Sequence, residues 1–117
     1  MEPQPGLFVS SLSTDDWELD PDVGGLTHVL CDVPGAWAGF NRYDTAPAPV
    51  AWTPPQRETF MILEGAARIE IAGGATLNLK AGDIASLPAG TSTTWHIMAP
   101  FREFWVLSGS SPEPEGL

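Results

Sequence analysis

Glu58 is the residue of this 117-residue chain best placed to do chemistry. It opens the run Glu58-Thr-Phe-Met-Ile-Leu63, and side chains alternate across a strand with period two, so Glu58 shares a face with Phe60 and Ile62. A carboxylate on an apolar face is desolvated. Its pKa rises, which suits it to give or take a proton near neutral pH. Pairing with Arg57, Arg42 or Arg102 would instead make it structural. By the same alternation Thr93, Trp95 and Ile97 share a face, and His96 points the other way. Arg42 and Tyr43 could contact an anion or a carbonyl, but as strand neighbours only one of them faces inward.

Other chemistries lack their residues. There is no Gly-x-Ser-x-Gly, no phosphate-cradling glycine loop and no Cys-x-x-Cys. Cys31, the single cysteine, has no basic neighbour to activate it and no partner for a disulfide. A lone cysteine, a start without a basic and apolar leader, and no apolar run of the ~20 residues that cross a membrane predict a cytoplasmic protein. The net charge is −10, with five acidic groups in the segment Asp15, Asp16, Glu18, Asp20 and Asp22. That balance predicts no nucleic-acid and no anionic-lipid partner, and the segment itself reads as a solvated acidic stretch.

The elements that must position these residues are strands. Twelve Gly and twelve Pro punctuate the chain, and short alternating runs bounded by turn residues recur without a helical period. Expected strands are Leu7–Val9, Leu26–Cys31, Trp37–Tyr43, Thr59–Leu63, Arg68–Ile71, a return strand holding Leu77 and Leu79, Ile84–Leu87, Thr93–Met98 and Phe101–Leu107. Ala72-Gly-Gly-Ala75 is a hairpin turn, because its glycines admit positive φ. Thr59–Leu63 is apolar on both faces and needs cover on both. Trp17, Trp37 and Trp105 read as core or interface. The N-terminal residues 1–34 should pack on a barrel of residues 35–107, with a tail fraying from residue 108, all within one domain.

The order Glu58, six residues, Gly65, then Gly82-Asp83, four residues, Pro88-Ala-Gly90, then Trp95 and Arg102-Glu-Phe-Trp-Val106 resembles the cupin superfamily. Within it the chain looks most like the small single-domain branch that includes ureidoglycine aminohydrolase and ethanolamine-utilisation cupins. Gly35-Ala-Trp37-Ala-Gly39 is similar to the Gly-x-Trp approach of that branch. The resemblance implies an all-β double-stranded β-helix, or jelly roll, with a lumen, and a homodimer. In metal-binding cupins this frame carries three histidines and a glutamate. Here the histidine positions fall on Trp52 and Pro54, or on Ala51 and Thr53 in the longer register, and on Thr93. Only the glutamate matches, so the resemblance implies no metal and no other cofactor. It places Trp52, Glu58, Phe60, Ile62, Thr93 and Trp95 in the lumen.

The expectation that follows is a small polar or planar metabolite bound in an aromatic lumen. Glu58 is the candidate catalytic group for an isomerase or a hydrolase of a C–N bond. Trp52, Phe60, Thr93, Trp95, Tyr43 and Arg42 are the candidate ligand contacts. Two alternatives stay open: a metal-dependent enzyme using Glu58, His96 and His28, and a non-catalytic dimeric module with a solid barrel.

Overall fold

Two long strands organise the chain. The computed structural model describes residues 1–109 and runs β1 (Glu18–Leu19), β2 (Leu26–Val33), β3 (Ala36–Tyr43), β4 (Val50–Trp52), β5 (Arg57–Ile71), β6 (Thr76–Lys80), β7 (Ile84–Leu87) and β8 (Thr93–Ser108). The expected strands Thr59–Leu63 and Arg68–Ile71 are one strand, β5, and Thr93–Met98 and Phe101–Leu107 are one strand, β8. β5 and β8 pair antiparallel from Arg57↔Ser108 to Ile71↔Thr93. The first half of β5 lies between β7 and β8, and its second half lies between β6 and β8. The ends of β8 are flanked by β4 and β3. Residues from both ends of β8 line one cavity with Glu58 of β5 and residues of β1 to β4, so the sheet curls on itself as a jelly roll. No helix among the described residues is long and apolar enough to cross a membrane.

The bend in this sheet is set at Gly65. Before it β5 buries Glu58, Phe60 and Ile62; after it β5 buries Ala67 and Ile69. The inward positions therefore switch from even to odd, and the register shifts at Ile62/Glu64 and Glu64/Ala66 absorb the change. Gly65 holds φ +79°, and a Cβ there would lie 2.7 Å from the Met98 carbonyl oxygen. The turn at Ala81–Asp83 docks on the same place, with the Gly82 amide donating to Ile62 O at 2.7 Å and the Ala81 amide to Gly65 O at 3.1 Å.

Leu7–Val9 is not a strand. Pro3 and Pro5 remove amide donors, and Gly6 at φ +81° folds the segment back, so it closes on itself through Val9 N to Met1 O (2.8 Å) and the terminal ammonium to Val9 O (3.0 Å). Residues 10–17 then cross the outer face. His28 is buried there. Its Nδ1 donates to the Asp16 carbonyl at 2.7 Å, which leaves Nε2 to accept from the Ser10 hydroxyl at 2.7 Å. Its ring stacks on Phe40. At the other end Ser108 pairs with Ala36 and Arg57, and the Gly109 amide donates to Gly35 O at 3.1 Å. The rest of the expected tail, 110–117, lies outside the described residues.

Replacing Gly65 with alanine should cost about 2 kcal/mol or more in urea unfolding, because a left-handed residue would also press a Cβ on backbone oxygens. Gly35→Ala is the control. It has a similar φ of +84° with nothing within 4 Å, and should lose only about 1 kcal/mol.

Candidate functional site

Strand alternation brings the site together. From β5, Glu58 points into the barrel beside Phe60. From β8, Trp95, Ile97, Glu103, Trp105 and Leu107 point into the same space, and β4 adds Val50 and Trp52. They enclose a cavity of about 220 Å³. The lumen is thus not packed solid, though it is smaller than the ~300 Å³ at the low end of drug-sized pockets.

Glu58 is 5% exposed, and its Oε1 accepts a hydrogen bond from the Trp52 indole N–H at 2.9 Å. Burial pushes its pKa up to about 7, and the Trp52 bond pulls the other way. None of the expected arginine partners reaches it. Arg57 donates to Ser86 Oγ at 3.0 Å, Arg42 pairs with Asp44 at 3.1 Å, and Arg102 lies 3.5 Å from Glu64.

A second carboxylate shares the space. Glu103 is 6% exposed, and its Oε2 has no hydrogen-bond partner among the described residues. In register it stands opposite Ile62, four register pairs along from the Glu58–Leu107 pair. Burial, then the charge of Glu58, raise its pKa well above the usual carboxylate range. Both carboxyls therefore hold their protons to higher pH than an exposed carboxylate does, Glu58 up to about 7. This gives the lumen two carboxyl groups able to hold and release protons.

The other sequence candidates separate. Trp52 and Trp95 line the cavity. Phe60 is fully buried behind Trp95, ring centroids 5.0 Å apart. Thr93 is also behind the wall: its hydroxyl accepts from the Trp95 indole N–H at 3.0 Å and donates to the Trp52 carbonyl. Tyr43 lines the cavity with its ring, but its hydroxyl donates to Val23 O at 2.9 Å. Burial, then Glu103 and Asp20, raise its pKa. Arg42, its strand neighbour, faces outward, with its guanidinium 4.9 Å from the Trp17 ring centroid. The expected arginine contact is absent from the cavity because period two puts neighbours on opposite faces.

Reading by sequence missed Glu103, Trp105 and Asn41, which line the cavity and of which Trp105 donates to Asn41 Oδ1 at 3.0 Å. It also missed the acidic segment's role. Glu18, Asp20 and Asp22 form the cavity mouth rather than a detached solvated stretch. Asp20 Oδ1 caps the Asp22 amide at 2.9 Å, and the Asp20 and Gly25 backbones bond at 2.8 Å. Carrying the inward odd positions of Thr93 and Trp95 along β8 reaches Glu103; Pro100 divides the run into two expected strands, yet the odd positions stay inward on both sides of it.

The residues do not fit the divalent metal of the wider fold. Beside Glu58 the other ligand positions hold an indole, a buried proline and an occupied hydroxyl, and no group of three or more His, Cys, Asp or Glu able to hold an ion forms among the described residues. His96 bonds Glu70 Oε1 at 2.7 Å on the opposite face from Glu58, and His28 lies under the N-terminal segment. The metal alternative therefore lacks convergent ligands.

Two measurements follow from these environments. The unfolded chain ionises Glu58 near 4.5, whereas the fold holds its proton up to about 7. Stability is thus greatest below the lower value and falls as pH rises through that window, by on the order of 3 kcal/mol. Glu58→Gln, which keeps an acceptor for Trp52, should match the parent in urea unfolding near the acid end and exceed it at about pH 8. Trp52→Phe removes the bond that favours the anion, so a carboxyl carbon NMR titration should place Glu58 above its present value. An unchanged or lower pKa would contradict this account.

A family model described as the EutQ-like cupin domain matches residues 43–105. Among solved structures, a candidate ethanolamine utilization protein Q from Salmonella typhimurium LT2 is 27% identical, with TM-score 0.62, covering 75% of this chain and 72% of that one. EutQ from Clostridium difficile is 19% identical, with TM-score 0.62 and coverage of 78% and 72%. A candidate mannose-6-phosphate isomerase from Ralstonia eutropha JMP134 is 23% identical, with TM-score 0.66 and coverage of 87% and 98%. The last two share the fold. No curated protein matches the sequence. With more than half of its length inside the family model and its curled sheet common to these structures, the chain belongs to the EutQ-like cupin domain family.

Proposed function

We propose that this small cupin binds a small polar or planar metabolite in its lumen and that Glu58 moves a proton on it. The observation that carries this is a pair of buried carboxylates, Glu58 and Glu103, facing one cavity with no basic residue among its lining. A purely structural buried acid would be expected to pair with a cation or saturate its oxygens, and Glu103 Oε2 does neither. Two carboxyl groups with raised pKa values at one site match the requirement of proton transfer at neutral pH, where one gives and one takes. Trp52, Trp95 and Trp105 form flat walls suited to a planar group. The reactions in reach are isomerisation by removal and return of a proton, and hydrolysis at a C–N bond with Glu58 activating water.

A homodimer belongs to this proposal. Met61 and Phe104 are register partners on the outward face, half-buried beside Phe40, and a second copy would complete their cover. Light scattering reads the assembly state.

The functional test is a panel of small polar metabolites screened by thermal shift, with hits followed by deuterium uptake from heavy water. Glu58→Gln should weaken binding about tenfold or more and abolish uptake. Equal binding and uptake by the parent and Glu58→Gln would overturn the assignment.

A further inference from the structure

The charges around the cavity are of one sign. Glu58 and Glu103 lie inside, from β5 and β8; Glu18, Asp20 and Asp22 lie at the mouth, from β1 and the loop after it. Tyr43, from β3, is the remaining titratable group of the lining. Lys, Arg and His contribute nothing to it. The five basic side chains are engaged elsewhere: Arg42 with Asp44, Arg57 with Ser86, Arg68 with Glu70, Lys80 with Asp83 and Arg102 with Glu64. An anionic ligand would meet only like charge and find no cation to pair with. The walls are indole and phenol rings, whose faces attract cations. Glu103 Oε2 is a buried acceptor without a donor. It is the kind of group that an ammonium N–H would satisfy.

Resting on the lumen-binding reading above, we propose that the ligand is a small organic cation. An ammonium or amidinium group would be held between Glu58 and Glu103 against Trp52, Trp95 and Trp105. The cavity of about 220 Å³ has room for roughly four to eight non-hydrogen atoms, which fits a short amine and not a nucleotide. The acidic mouth raises the local concentration of such a ligand and steers it inward. Because the cation binds the ionised carboxylate, a proton on Glu58 competes with it. Affinity therefore rises with pH through the window near 7 in which Glu58 titrates, and binding releases protons.

Three probes of similar size test this on the full chain: propylammonium, 1-propanol and propionate at constant ionic strength, read by the indole N–H resonances of Trp52 and Trp105. Propylammonium should shift them saturably, with a dissociation constant at least about tenfold below that of 1-propanol, and propionate should leave them still. Lowering the pH from about 7.5 to about 5.5 should weaken propylammonium roughly tenfold or more, and Glu103→Gln should weaken it as well. If that variant folds poorly, the comparison of the three probes on the parent still decides. Propanol or propionate binding as tightly as propylammonium overturns the cation and leaves lumen binding standing. No shift with any probe also overturns the cation, and lumen binding is then judged by the metabolite panel alone. A propylammonium affinity that does not change with pH removes Glu58 from the contact and overturns the arrangement proposed.

Discussion

The antiparallel pairing of β5 with β8 is the constraint on which the rest of the molecule depends. It runs the length of both strands; β3, β4, β6 and β7 each pair with one of them, and β2 and β1 follow outward from β3. A flat sheet of this length would present its inner face to water. The bulge at Gly65 turns it instead, and changes which residues of β5 face inward, so that Phe60 and Ile62 from one half and Ala67 and Ile69 from the other share one core. A side chain at Gly65 would meet the carbonyls of β8 at the fold line. The lumen, and the convergence of Glu58 with Glu103 inside it, are consequences of that turn.

The carboxylates work against this packing. Each is surrounded by aliphatic and aromatic groups, and no cation lies within the barrel to offset the loss of water. The fold reduces the cost by keeping protons on the acids, as their raised pKa values record. It also supplies one indole N–H to Glu58. Stability and proton affinity are therefore the same quantity in this lumen: what destabilises the ionised barrel is what makes it a site able to hold and release protons near neutral pH.

Much of the fold was legible because its signals are local. The glycine and proline turns, the alternation of Arg68–Ile71 and the spacing from Glu58 to Gly90 all survive in the structure. So do the inward face of Glu58, Phe60 and Ile62 and the outward turn of His96. What was not legible is carried by long-range register. Leu7–Val9 has strand composition, but the prolines and Gly6 close it into a loop. Glu103 sits in an ordinary alternating strand. The odd inward positions carry from Trp95 past Pro100 to Glu103, but only the pairing with β5 shows that this face is the lumen. The acidic segment has the composition of a solvated stretch. It becomes the cavity mouth because β1 pairs with β2 and because Tyr43 holds Val23.

The position of Trp52 explains how a ligand-binding scaffold becomes a proton-holding one. In the metal-binding relatives of the fold a cation beside the glutamate would favour its charged form and press its pKa down. In this chain an indole stands at that position, and it offers the same carboxylate only one dipolar N–H. A dipole opposes desolvation far less than a divalent charge does, so the balance tips and the pKa of Glu58 moves up to about 7. The ring also fills part of the space an ion and its other ligands would need, and it leaves a flat aromatic surface there. The exchange of residue type thus changes three properties together: the sign of the pKa shift, the shape of the space, and the kind of ligand it can face.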